Sequence, residues 1–136
     1  MNIRCLVIGV GKMGLAHLQA VAALSPEALA GWAPSARRRE SVESAGAEFL
    51  QGPLDAALES FRPTHVIIAS PVETLSAIAR QVIAAGVRDI LLEKPAALNV
   101  EEGQHLAAAA SAAGAQIFVG YNRRFYASVR TALAMI

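Results

Sequence analysis

The stretch Val7–His17, VIGVGKMGLAH, sets Gly9, Gly11 and Gly14 in a G-x-G-x-x-G spacing directly after an apolar run. By itself the spacing fits a ligand-free turn as well as a phosphate cradle, so its flanks decide. Upstream, Ile3–Ile8 is a short, mostly apolar run of β type. Downstream, Lys12–Leu24 carries Met13, Leu15, Leu18, Val21, Ala22 and Leu24 at three- and four-residue spacing, the period of a helix. Glycines that close a strand and open a helix are in the context of a dinucleotide fingerprint. There Gly9 permits the tight turn, Gly11 lets backbone approach a pyrophosphate, and Gly14 lets the helix pack close to the strand. The helix start offers free N–H groups and a partial positive charge to phosphates, which adds Lys12 and Met13 to the cofactor-binding set.

The rest of the chain repeats the strand–helix alternation. Leu29–Trp32, His65–Ala69, Asp89–Leu92 and Gln116–Val119 are further short apolar runs, and Glu48–Leu50 is a shorter strand candidate. Runs without polar alternation suit strands covered on both faces. Between them, Thr74–Ala85 aligns Leu75, Ile78, Ala79, Val82 and Ile83 on one face, and alanine-rich Val100–Ala113 follows an Asn99 start signal. Gly86 and Gly114 stand where these helices should stop. This order predicts an α/β fold: a doubly wound parallel sheet of the Rossmann type, three layers α/β/α, about six strands, in one domain over residues 1–136. No internal repeat and no linker interrupt it.

Composition narrows the function classes. The chain has 136 residues, 54% hydrophobic and 17% charged, with a formal net charge of +1. That balance gives no support to nucleic-acid binding by bulk charge. No apolar stretch approaches the roughly 20 residues of a membrane span, and the start reads as a strand, not a secretion signal; a cytoplasmic location is expected. The single cysteine, Cys5, sits mid-strand and reads as a small buried hydrophobe. No metal site is expected.

The tip of the second strand bears on the choice of cofactor. NAD-binding units usually carry an acid about 20 residues past the glycines, where it accepts hydrogen bonds from the ribose diol. Here that position falls at or near Ala33, no carboxylate lies between Glu27 and Glu40, and Ser35, Arg37, Arg38 and Arg39 follow. A hydroxyl and guanidinium groups suit a 2′-phosphate, so Ser35, Arg37 and Arg38 are read as its contacts and NADP is favoured over NAD. The competing reading is a solvated basic helix start.

Three further segments appear in order: ASP (Ala69–Pro71), AGVRDILLEKP (Ala85–Pro95) and VGYNRRF (Val119–Phe125). With GVGKMGLAH, this series resembles the glucose–fructose oxidoreductase / inositol dehydrogenase / MocA family over essentially the whole chain. Residues at the carboxyl ends of parallel strands line the crevice where ligands bind, so Lys94 next to a nicotinamide is suited to stabilising negative charge on a substrate oxygen. The resemblance implies that Lys94 is catalytic and that Glu93 positions ribose or nicotinamide groups. It also implies that Ser70 and Pro71 form a loop under the middle of the cofactor, and that Asn122 and Arg123 contact the nicotinamide end or the substrate. Helix capping by Asn122 and a solvent-facing Arg123 remain the plain alternative. Pro95 is a place for a cis bond. His17 matches a histidine common in the family's first helix and is read as structural.

Two departures from the family pattern stand out. The loop after the fourth strand often continues to a histidine in relatives, and here Leu75 takes that place. Relatives also continue into an α/β substrate domain that commonly forms the dimer face, whereas residues 122–136 only start a connection to it. The expected function is therefore the cofactor domain of an oxidoreductase moving a hydride between a nicotinamide dinucleotide and a secondary alcohol of a sugar, cyclitol or related polyol. Turnover is not expected from this chain alone, because the histidine and aspartate usual in the second domain are missing and His65 and His105 are misplaced for the part. The alternative is a stand-alone nucleotide-binding module that senses the cofactor or pairs with another polypeptide. Apolar surface left by an absent domain would favour homo-oligomers. A methyltransferase reading is disfavoured by the glycine spacing and by the missing acid at the second strand tip.

Overall fold

Stiff, β-branched side chains favour extended backbone, and the Val- and Ile-containing runs become the central strands. The structure, a computed structural model, describes residues 2–136. Its strands are β1 (Arg4–Ile8), β2 (Ala28–Trp32), β3 (Glu48–Leu50), β4 (His65–Ile68), β5 (Asp89–Leu92) and β6 (Gln116–Val119). The helices are α1 (Lys12–Ala22), α2 (Arg39–Ser44), α3 (Leu54–Phe61), α4 (Val72–Ala84), α5 (Val100–Ala113) and α6 (Ala127–Ala134). Short 3-10 turns occupy Ala36–Arg38 and Asn122–Phe125. All strand pairs are parallel, in the order β3-β2-β1-β4-β5-β6. The order reverses between β1 and β4, which makes their carboxyl ends a topological switch point. This is the Rossmann-type sheet that the sequence predicts.

Alternation along the strands sends side chains to two cores. Cys5, Val7, Leu29, Phe49 and Ile67 meet Leu18 of α1 and Val42 of α2 on one face. Leu6, Ile8, Val66, Ile68, Ile90 and Leu92 meet Leu58 and Phe61 of α3, Leu75, Ala79 and Val82 of α4, and Leu106 and Ala110 of α5 on the other. Leu6, Val7, Ile8, Ile68 and Leu92 are fully excluded from water, each contributing roughly 1.5–3 kcal/mol of burial. Leu75 belongs to this core. Burial pushes the Cys5 thiol up to about 11, in keeping with its place among apolar neighbours.

Besides ends shifted by one or two residues at β1, α1, β2 and β4, the structure differs from expectation in three places. Helix α3 was not expected; it is short, yet Leu54, Ala57, Leu58 and Phe61 recur at i, i+3, i+4 and i+7 and are all buried. Helix α4 begins two residues earlier than its apolar face suggests, because Pro71 serves as its N-cap. The third difference lies at the sheet edge. Helices cover both faces of the sheet around β1, but β6 is open on the α1 side, where Phe118 is 59% exposed. Among the described residues, no helix is long and apolar enough to cross a membrane.

Candidate functional site

The parallel ladder runs one residue past each strand and lays out a rim at the carboxyl edge. Gly9 N–H donates to the Trp32 carbonyl (3.0 Å), Ala69 N–H to Ile8 (2.8 Å), Glu93 N–H to Ile68 (2.9 Å) and Gly120 N–H to Leu92 (2.8 Å). Ala33 N–H donates to Leu50 (3.2 Å) and extends the rim to β3. The rim order is thus Ala33, Gly9, Ala69, Glu93, Gly120. Each motif singled out in the sequence follows one of these residues.

The three glycines of the first loop have different physical reasons. Gly9 adopts φ +87°, and a Cβ there would meet Ala69 and Ser70 backbone at 2.7 Å. It lets the first loop touch the β4–α4 loop that holds Ser70 and Pro71. A Cβ on Gly14 would fall 1.9 Å from the Gly9 carbonyl oxygen, so this glycine lets α1 seat against its own turn. At Gly11 a Cβ would meet nothing within 4 Å. Space lies in front of that backbone, which is what close approach of a pyrophosphate needs.

Helix α1 starts from Gly11 without a side-chain cap and without an acid in its first turn. Its first N–H groups have no partner within the helix, and the helix dipole adds positive character there. Lys12 and Met13 sit exposed at this end. In the neighbouring loop, Thr74 Oγ1 bonds Ser70 Oγ (3.0 Å) and the Pro71 carbonyl (2.7 Å), which ties the loop to α4. An open glycine turn at an uncapped helix start fits a dinucleotide diphosphate.

At the tip of β2, Ala33 is buried and Pro34 to Glu40 are exposed. Arg39 is engaged: its guanidinium lies 4.7 Å from the Phe49 ring centroid and 3.4 Å from Glu43 Oε1. Arg37 and Arg38 are exposed on the 3-10 turn that begins after Ser35.

At the other end of the rim, Lys94 lines a cavity of ≈ 290 Å³ with Gly120, Tyr121, Asn122, Arg123 and Arg124. The lining contains cations and no acid. The Lys94–Pro95 bond is cis. Asn122 caps neither its own 3-10 turn nor α6, since these start from Tyr121 and Tyr126 without side-chain caps. Glu93 accepts a hydrogen bond from His17, with Nε2 and Oε1 2.8 Å apart and the two side chains 20% and 13% exposed. The structural reading of His17 does not foresee this contact with a site residue. Gly14 and His17 are three apart on α1 and share a face, so a helix that brings Gly14 onto the sheet brings His17 as well. His65 lies at the amino edge of the sheet with Nδ1 2.8 Å from Thr64 Oγ1, and His105 is exposed on α5. Neither is near the rim. Among the described residues, no cluster of three or more His, Cys, Asp or Glu is arranged for a metal ion.

The sequence pattern of the Gfo/Idh/MocA family, described as an oxidoreductase family with an NAD-binding Rossmann fold, matches residues 3–121. Among solved structures, UDP-N-acetylglucosamine 3-dehydrogenase GnnA from Acidithiobacillus ferrooxidans is 27% identical with a TM-score of 0.85, over 99% of this chain and 43% of that one. The WlbA dehydrogenase from Bordetella pertussis, solved with NADH and UDP-GlcNAcA, is 25% identical with a TM-score of 0.84, over 99% and 42%. Scyllo-inositol dehydrogenase from Lactobacillus casei, at 21% identity and a TM-score of 0.87 over 99% and 41%, shares the fold. The chain therefore spans less than half the length of these relatives. No curated protein sequence matches it. With the open glycine turn, the switch-point rim and a family pattern over nearly its whole length, this chain belongs to the Gfo/Idh/MocA oxidoreductase family and is its NAD-binding Rossmann domain.

Proposed function

We propose that this chain is the cofactor-holding part of a dehydrogenase that acts on a secondary alcohol of a sugar, cyclitol or related polyol. The single observation that carries the reading is the rim itself: the open turn at Gly11 and the Lys94 cavity lie on one edge of one sheet. β1 and β5 are two strands apart, about 10 Å at the usual strand spacing, a span that a dinucleotide bridges. Gly9, Gly11, Lys12, Met13 and Gly14 would hold the diphosphate, with Ser70 and Pro71 beneath it. Glu93, Asn122 and Arg123 would contact the nicotinamide end. Bound nicotinamide supplies a hydride acceptor or donor at its C4. Lys94 would hydrogen-bond the substrate hydroxyl and stabilise the negative charge that grows on its oxygen as the hydroxyl proton passes to a base supplied by the second domain. The identity of GnnA as a UDP-N-acetylglucosamine dehydrogenase supports a sugar-like substrate. The remaining substrate contacts would come from a second domain, to which residues 122–136 would lead.

The preferred cofactor in this reading is NADP. Ser35, Arg37 and Arg38 follow a strand tip that has no carboxylate to repel a 2′-phosphate, and Arg39 is occupied by Phe49 and Glu43. The NADH in the WlbA structure speaks for NAD in at least one relative. Calorimetry on this chain decides: NADPH is expected to bind about tenfold more tightly than NADH, and the reverse order overturns the assignment. In a protein with the substrate domain, Lys94→Ala is expected to abolish turnover while leaving cofactor affinity nearly unchanged.

A second reading, a nucleotide-binding module that pairs with another polypeptide or a second copy, draws on the open side of β6. Phe118 is exposed on that strand, and Tyr121, Phe125 and Tyr126 are exposed in the segment that follows it. Sedimentation of the chain, with and without NADPH, separates self-association from a monomer.

A further inference from the structure

His17 and Glu93 join the helix that opens at the glycine turn to the strand tip that carries Lys94. We infer that His17 is a positioning residue: it holds the Glu93 carboxylate as a fixed acceptor for a hydroxyl or amide donor on the nicotinamide half of the dinucleotide, given the cofactor role proposed above. An ionised carboxylate only accepts hydrogen bonds, so the proton in this pair sits on His17 Nε2. Gly120 lies close on the other side, where a Cβ built on it would come within 3.4 Å of Oε1. One carboxylate oxygen is thus fixed from α1, beside the tip of β6. The other, Oε2, has no hydrogen-bond partner among the described residues and is not shut off from solvent, so it is open to an incoming donor. A carboxylate has room for about four hydrogen bonds, so Oε2 can take a donor that arrives with a ligand in place of water.

Its place tells which donor it meets. Glu93 is the rim residue of β5, immediately before Lys94 and two strands from Gly9. A purely structural side chain against Gly120 would be better served by an apolar residue, which needs no partner. A histidine reaching from α1 to orient an acid with one free oxygen matches a group whose donor arrives with a ligand. The diphosphate end lies at Gly11, so the donor belongs to the opposite half of the dinucleotide. The glycine-turn helix therefore serves both halves: its start receives phosphate, and its second turn fixes the acceptor for the far end.

The test compares NADPH with ADP, a probe for the adenosine diphosphate half, by calorimetry on this chain and its variants. His17→Ala is expected to weaken NADPH about tenfold while ADP stays within twofold, a size in keeping with one hydrogen bond to a charged group. His17→Gln, whose amide nitrogen reaches the position of Nε2, is expected to restore most of the loss. Glu93→Gln keeps the shape and accepts from His17 through its amide oxygen, but turns an NH2 toward the ligand; it should show the same selective loss even if His17→Ala folds poorly. Equal weakening of NADPH and ADP, or no change in either, overturns the positioning role. If the unaltered chain binds neither ligand, the dinucleotide reading itself falls, and this inference with it.

Discussion

Helices α1 and α5 begin in opposite ways. Asn99 caps α5: its side chain accepts from the Glu102 N–H at 2.8 Å, and Glu102 in turn bonds the Leu98 N–H at 2.7 Å. Glu101 and Glu102 add negative charge in the first turn. Helix α1 has no side-chain cap, no first-turn acid and open space before Gly11. One helix satisfies its orphan N–H groups from within the chain, and the other leaves them for something external. A helix start without a cap forgoes about 1 kcal/mol of stability. Helix α4 also starts at the switch point without a side-chain cap, but it has Glu73 in its first turn; α1 has neither, and in the proposed reading a diphosphate takes the place of the cap.

The largest expected effect comes from removing the packing that makes α1's start possible. Gly14→Val places a branched side chain where even a Cβ would be 1.9 Å from the Gly9 carbonyl oxygen. Neither partner is a flexible side-chain end, so the turn and the helix must separate. A loss of about 3 kcal/mol or more is expected in urea denaturation, with dinucleotide binding lost too. A near-normal midpoint would mean that the close approach at Gly14 is not required.

Gly11→Asp sharpens the contrast, because it gives α1 what α5 already has. Gly11 has φ −70° and extended ψ, open to any residue, and nothing occupies the space of its Cβ. The aspartate is expected to cap the helix and meet the dipole favourably, raising stability by about 0.5 kcal/mol. The same carboxylate would stand where the diphosphate is proposed to lie. Affinity for NADPH is expected to fall about 100-fold, within what like charges a few ångströms apart can produce. Stability and affinity moving in opposite directions is the decisive signature; a fall in both would place Gly11 with Gly14 as a packing glycine.

Much of this was legible from residues. The glycine spacing after an apolar run, the Asn99 start signal and the Gly114 stop all read through local chemistry, and β3, β5, β6 and α5 have the bounds that the sequence suggests. Gly114 does close α5 in the left-handed region, at φ +65°. Two kinds of feature escaped. Helix α3 is only eight residues long and has one apolar stripe, too short for its period to stand out. The His17–Glu93 contact joins positions 76 residues apart, and no local pattern states which helix face meets which strand tip. The exposed side of β6 also hid, since an apolar run such as IFV reads the same whether one face or both are covered. Sequence shows an element's appetite for burial, and the partner that meets it is a tertiary fact.

The smallest expected effect tests the other side of the comparison. Asn99→Ala removes the Oδ1 that receives the Glu102 N–H and leaves α5 with an unfilled donor at its start. A loss of about 1 kcal/mol is expected in denaturation midpoints, with NADPH affinity unchanged. Glu102 limits the damage, since its own bond to Leu98 and its charge near the helix start persist without Asn99. Because Asn99 follows Lys94 by only a short loop, the result also reports on how the strand-five tip is held. If Asn99→Ala weakened NADPH while sparing ADP, the cap would be acting through the Glu93–Pro95 segment, and the division between a helix start that serves the ligand and one that serves the fold would not hold.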